Sequence, residues 1–150
     1  MRTKTIDHFL RATWQAVSKM YNEEASKYGA SMATGLALLS IDTEEGVPST
    51  SLGPRMGMES TSLSRTLKTM ENQGLIRREP NPDDGRGVLI KLTKEGLEKR
   101  TLSKEVVIQF NQSIEKAVSE KDLESFYKVI ELILQKVQDR SIFIPQKQVS

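Results

Sequence analysis

The chain contains no cysteine. That excludes disulfides, thiolate zinc sites and thiol redox sensing, and it suits a reducing cytoplasm. Histidine is limited to His8, so a metal centre would need carboxylates almost alone, and no ligand-spaced cluster of them occurs. No metal and no cofactor is expected. Aromatic residues make up only 5% of the chain, and no apolar run is long enough to cross a bilayer. The N-terminus carries Arg2 and Lys4, but Asp7, His8, Arg11, Gln15 and Lys19 break any hydrophobic run, so it does not read as a signal peptide. A Gly-x-Ser-x-Gly elbow, a phosphate-cradling glycine loop and a His-based metal motif are also missing, which argues against an enzyme. The expectation is a soluble, cytoplasmic, non-enzymatic protein.

What is present is charge, unevenly placed. The 150 residues carry a formal net charge of +2, and 28% of them are charged. From Arg65 to Arg100 nine basic residues face six acidic ones, so this stretch holds +3 and the remainder is near −1. Positive charge gathered on one segment suits a polyanion, whose phosphates supply most non-specific affinity. On charge alone a solvated surface explains the count equally well.

Hydrophobic periodicity divides the chain. Ile6, Leu10, Trp14, Val17 and Tyr21 recur every three or four residues and predict a helix over about 5–27, which Gly29 stops. Residues 31–41 predict a second, more uniformly apolar helix, and 42–48 a loop. Thr93 is placed to cap a long helix marked by Leu97, Val106, Val107, Phe110, Ile114 and Val118. Ser119, with an acidic residue three positions on, marks a new N-terminus for a last helix carrying Leu123, Phe126, Ile130, Ile133, Leu134 and Val137. The expected domains are N-terminal helices over 1–41 for dimerisation and core support, a DNA-binding lobe over 42–93, dimerisation helices over 94–140 and a loose tail over 141–150. The stripes at both ends need covering, and a two-fold dimer is the economical way to do so.

The central segment is the most informative. Ser49 to Met56 with a Gly57 turn, then Ser60 to Met70, read as a helix-turn-helix. Pro54 requires the first of these helices to be short or bent. Leu75 to Arg78, a turn within 81–86 and Val88 to Thr93 read as a hairpin, with Asp84-Gly85 as its tight-turn signal. The fold class is mainly α: a winged helix-turn-helix core with a small β-hairpin wing, flanked by long terminal dimerisation helices. In the second helix Leu63, Leu67 and Met70 form a buried edge while Thr61, Arg65, Lys68 and Asn72 point away from it. Short hydroxyls permit close approach to bases, and arginine pairs bidentately with guanine. Thr61, Ser62, Ser64 and Arg65 are therefore the base-reading candidates, with Lys68 meeting phosphate. At the wing, Arg86 suits a minor groove, and Asp84 is placed to hold it.

These residues resemble the multiple-antibiotic-resistance regulator (MarR) family of winged-helix repressors over nearly the whole chain. The resemblance rests on Ser62-Leu63-Ser64-Arg65, on Gly74-Leu75-Ile76, on the wing pattern Asp84-Gly85-Arg86, and on Leu92-Thr93 with Gly96 three residues later. Many members carry two consecutive arginines after the wing Asp, where this chain has Gly85-Arg86. The resemblance implies a homodimer on a pseudo-palindromic double-stranded DNA operator, usually repressing transcription and released by a small lipophilic or aromatic effector. Trp14, Met20, Tyr21 and Met32 are weak candidates for an effector pocket, since helical core packing explains them better. Two other readings are kept: an architectural DNA-binding dimer without effector, and a winged-helix protein-interaction module.

Overall fold

The computed structural model describes residues 3–145, and the expectation of a loose tail falls partly on 146–150, outside them. The element order is α1 (Ile6–Ser26), α2 (Met32–Ser40), β1 (Val47–Pro48), α3 (Ser49–Met56), α4 (Ser60–Asn72), β2 (Ile76–Asn81), β3 (Asp84–Leu92), α5 (Lys94–Ala117) and α6 (Glu120–Gln138). The chain divides into two compact units at Val107, inside α5.

In the first unit a core forms where α2, α3 and α4 meet one face of the sheet. Ala37, Leu38 and Ile41 come from α2 and its end, Leu52 from α3, and Leu63, Leu67 and Met70 from α4. Val47, Ile76, Ile90 and Leu92 close it from the strands. At roughly 1.5–3 kcal/mol for each large side chain fully buried, this cluster is the main favourable term for the lobe. Helix α2 is mostly apolar because it supplies this core. It starts cleanly because the Thr34 amide donates to the Ser31 side chain at 3.2 Å.

The sheet is antiparallel in the order β1-β3-β2, with Val47 opposite Ile90 and Ile76 opposite Leu92. The structure corrects two expectations. The 42–48 segment is not all loop, since Val47–Pro48 adds a third strand; its N–H-less Pro48 is tolerated on an edge. The hairpin turn lies at Pro82-Asp83 rather than Asp84-Gly85. Proline presets the turn dihedral, and the Asn81 side chain accepts from the Asp83 amide at 3.0 Å, closing the turn two residues earlier.

Helix α1 buries none of its residues: Ile6 is 66% and Trp14 56% exposed. Among the second unit's residues, α6 begins where the Asp122 amide donates to the Ser119 hydroxyl at 3.1 Å. Its Phe126, Val129, Leu132, Leu134 and Val137 are all exposed.

Candidate nucleic-acid interface

Helix α3 is only eight residues long. Pro54 cannot donate to the Thr50 carbonyl one turn back, and Gly57 ends the helix at φ 63°. The Met58 amide then donates to the Gly53 carbonyl at 3.0 Å, turning the chain into α4. Gly53 eases this close approach, since a Cβ there would stand 3.3 Å from the Met58 carbonyl oxygen, a tight contact. Leu63, Leu67 and Met70 fasten α4 to the core as the spacing predicts, so its opposite face is presented outward.

On that face Thr61, Ser62, Ser64, Arg65 and Lys68 are all exposed. The Thr66 and Thr69 hydroxyls are committed to the Ser62 and Arg65 carbonyls, each at 3.0 Å. Among the described residues no such bond engages the hydroxyls of Thr61, Ser62 or Ser64, nor any carboxylate the side chains of Arg65 and Lys68. No side chain caps α4, so its first-turn amides are open to an anion.

The wing stem behaves oppositely. Glu79 takes Arg77 at 2.8 Å and Lys91 at 3.4 Å, and Glu71 takes Arg78 at 3.2 Å. Hydrogen bonding from Arg77 holds the Glu79 carboxyl below its ordinary range, with Lys91 adding to the effect. The stem cations thus each face a carboxylate, with Arg77 and Lys91 sharing one, whereas the tip cation faces none. Pairing shifts from Pro80–Val88 to Asn81–Asp84, so Gly85, Arg86 and Gly87 form an unpaired bulge on β3. Asp84 meets Arg86 through the main chain and not as the side-chain ion pair expected: its Oδ1 accepts the Arg86 amide at 3.1 Å. The guanidinium stays uncommitted and exposed.

Two features escaped the sequence reading. Ser31 and Thr34 at the start of α2 line a polar recess with Arg65, Thr66 and Thr69; the Ser31 cap was a visible signal, but its place beside α4 was not. A cavity of about 280 Å³ lies among α1, α2 and α5, with Gln73 and Leu75 in its wall. Of the four weak effector candidates, Tyr21 and Met32 line it, whereas Trp14 and Met20 do not. Burial raises the Tyr21 phenol above its ordinary value. At the rim the Lys99 ammonium donates to the Tyr28 carbonyl at 2.8 Å and stands 5.9 Å from that ring's centre. Among the described residues no group of three or more potential metal ligands occurs, and no helix is long and apolar enough to cross a membrane.

The MarR family model matches residues 31–88, from the α2 cap to the wing. A helix-turn-helix transcriptional regulator, SarZ of Staphylococcus haemolyticus, is 27% identical over 75% of this chain and 77% of its own length. The organic hydroperoxide resistance transcriptional regulator of Bacillus subtilis is 34% identical over 58% of this chain and 59% of its own. Among solved structures, the S. aureus MepR–DNA complex superposes with a TM-score of 0.82 over 89% of this chain and 98% of that one, at 16% identity, a likeness of fold. With the helix-turn-helix, wing and capped long helix in the order the sequence predicts, residues 31–88 match the MarR family model and the chain is similar to transcriptional regulators of that kind.

Proposed function

We propose that this regulator is a homodimeric repressor that reads a pseudo-palindromic operator and is released by a small lipophilic or aromatic effector. One observation carries the reading of the interface. The stem cations Arg77, Arg78 and Lys91 are paired with carboxylates, while Arg65, Lys68 and Arg86 are left without one. Exposed cations elsewhere are unpaired too, so the weight lies in where the free ones stand. Arg65 and Lys68 share the outward face of α4 with three uncommitted hydroxyls, and Arg86 tops the wing, the placement that phosphates and base edges require. Thr61, Ser62, Ser64 and Arg65 read bases in the major groove, Lys68 meets phosphate, and Arg86, on the bulge set by Asp84 and Gly85, enters the flanking minor groove.

Residues 42–93 form the DNA-binding lobe with α2 as its core support, and α1 with the helices of 94–140 pairs the two copies. The effector takes the cavity lined by Tyr21, Met32 and Leu102, whose wall is mostly apolar. The protein acts in the cytoplasm and by binding alone, with no chemical step. The relatives named as transcriptional regulators and the DNA-bound relative of the same fold support this reading.

The test is selection of genomic fragments with the purified protein, then anisotropy titrations on the enriched site and on random DNA across salt concentrations. A two-fold symmetric site preferred by on the order of a thousandfold or more is the expected result. Equal, weak binding to every sequence would leave an architectural protein, and no binding an interaction module.

A further inference from the structure

The hydrogen bonds at the start of α5 supply a route by which an occupant of the cavity reaches the recognition helix. The Thr93 hydroxyl does two things at once. It donates to the Gly74 carbonyl at 2.6 Å and accepts the Gly96 amide at 3.0 Å. The Thr93 amide donates in turn to the Leu75 carbonyl at 3.1 Å. Gly74 and Leu75 are the residues that leave α4, with the Leu75 amide donating back to the Met70 carbonyl at 2.9 Å. The first turn of α5 is pressed against the same point, since any side chain at Gly96 would collide with the Leu75 carbonyl.

The cavity touches both sides of this joint. Gln73 and Leu75 form part of one wall, and Leu102, Ser103 and Val106 of α5 form part of another. Gly74 sits at φ 73° with open space around its α-carbon, so the chain can turn there without a steric barrier. A shift of α5 therefore arrives at the end of α4 through the Thr93 hydroxyl at Gly74, beside the main-chain contacts of Thr93 and Gly96 with Leu75.

Resting on the proposed DNA-binding and effector roles, we infer that Thr93 is a positioning residue that transmits cavity occupancy from α5 to the recognition helix. An occupant that displaces α5 drags the Gly74 carbonyl with it and re-aims Thr61 to Arg65. Without the Thr93 hydroxyl the link to the Gly74 carbonyl is lost and the coupling is weakened.

The experiment is a double-mutant cycle on the selected operator, using a side chain as the occupant. Ala25→Phe fills the cavity from α1, and Thr93→Val removes the hydroxyl while keeping the shape. In the otherwise unaltered protein Ala25→Phe weakens operator binding on the order of tenfold. In the Thr93→Val background the same substitution has little further effect, and Thr93→Ser restores the full loss. Losses that simply multiply, or an Ala25→Phe protein with unaltered operator affinity, overturn the inference. A second measurement does not need Thr93→Val to fold: amide exchange at Gly96 quickens in Ala25→Phe if strain passes through Thr93, and an unchanged rate overturns the route. Operator preference in the unaltered protein is the control. If it is absent, the DNA-binding reading fails; if it is present and the cycle is additive, only the Thr93 route fails.

Discussion

At the tip of the wing, Arg86 stands between two glycines on a bulge, its amide held by Asp84 and its guanidinium held by nothing among the described residues. A cation kept free in this way gains affinity by releasing about one condensed counterion when it meets DNA. Arg86→Ala is therefore expected to weaken binding and to reduce the slope of log affinity against log salt by about one. Anisotropy titrations at several salt concentrations measure this, and an unaltered slope removes Arg86 from the interface. Arg65→Ala differs in kind: a base-reading arginine should cost about 1–3 kcal/mol on the operator and less on random DNA. Equal losses on both would make Arg65 a phosphate contact, which its place beside Ser31 and Thr34 also permits. Gly96 tests the fold rather than the interface. A methyl there meets the Leu75 carbonyl, so Gly96→Ala is expected to destabilise the protein by about 1–3 kcal/mol, read as a lower denaturation midpoint.

Among the elements, those with a strong local signal were legible from sequence. The α4 edge of Leu63, Leu67 and Met70, the Thr93 cap and the Ser119 cap each need only residues within a turn of one another. Strand β1 was not legible. It has two residues, one of them proline, and exists because Gly46 at φ 75° lets the backbone pass the Ile90 carbonyl, which a side chain would meet at 2.5 Å. The hairpin turn falls earlier than its sequence signal because Asp84-Gly85 is a strong local pattern, while the deciding features are Pro82 and the Asn81 side chain. The candidate interface was legible in its residue types, but not in its pairing. Nothing local shows that Glu71 and Glu79 pair with the stem cations and leave the tip free. The loop before β1 makes stability depend on pH. The amides of Glu45 and Glu44 donate to Asp42 at 2.6 and 3.0 Å and hold its carboxyl below the ordinary range, helped by Arg100 and Arg55. A depressed folded value means the stabilisation is present at neutral pH and is lost as pH falls through that value. Asp42→Asn should accordingly flatten the acid limb of the stability–pH curve, measured by denaturant midpoints at a series of pH values.

The whole molecule poses the question that neither a residue nor an element answers: what covers the apolar faces of α1 and α6. Ile6, Phe9, Leu10 and Trp14 on α1 are each at least 40% exposed, and Phe126, Val129 and Leu132 on α6 are more than half exposed. The stripes were visible in the sequence as periodicity, yet periodicity says only that a face is apolar and not which surface meets it. Contiguous exposed apolar patches of this kind mark association surfaces. A second copy suits them here because the proposed pseudo-palindromic operator would need two lobes held about one helical turn apart. Trp14 makes this testable in one residue, being the chain's sole tryptophan. Its emission should shift to shorter wavelength as protein concentration rises through the dimer constant, because the indole leaves water. Trp14→Asp places a charge in that contact and should yield a monomer by sedimentation equilibrium, with α4 and the wing unaltered. Such a monomer keeps one lobe's phosphate contacts and loses the other's, so its salt slope on random DNA falls to about half while its preference for the two-half-site operator collapses. A Trp14→Asp protein that stays dimeric and still selects the operator would show that α1 pairs with nothing the operator requires.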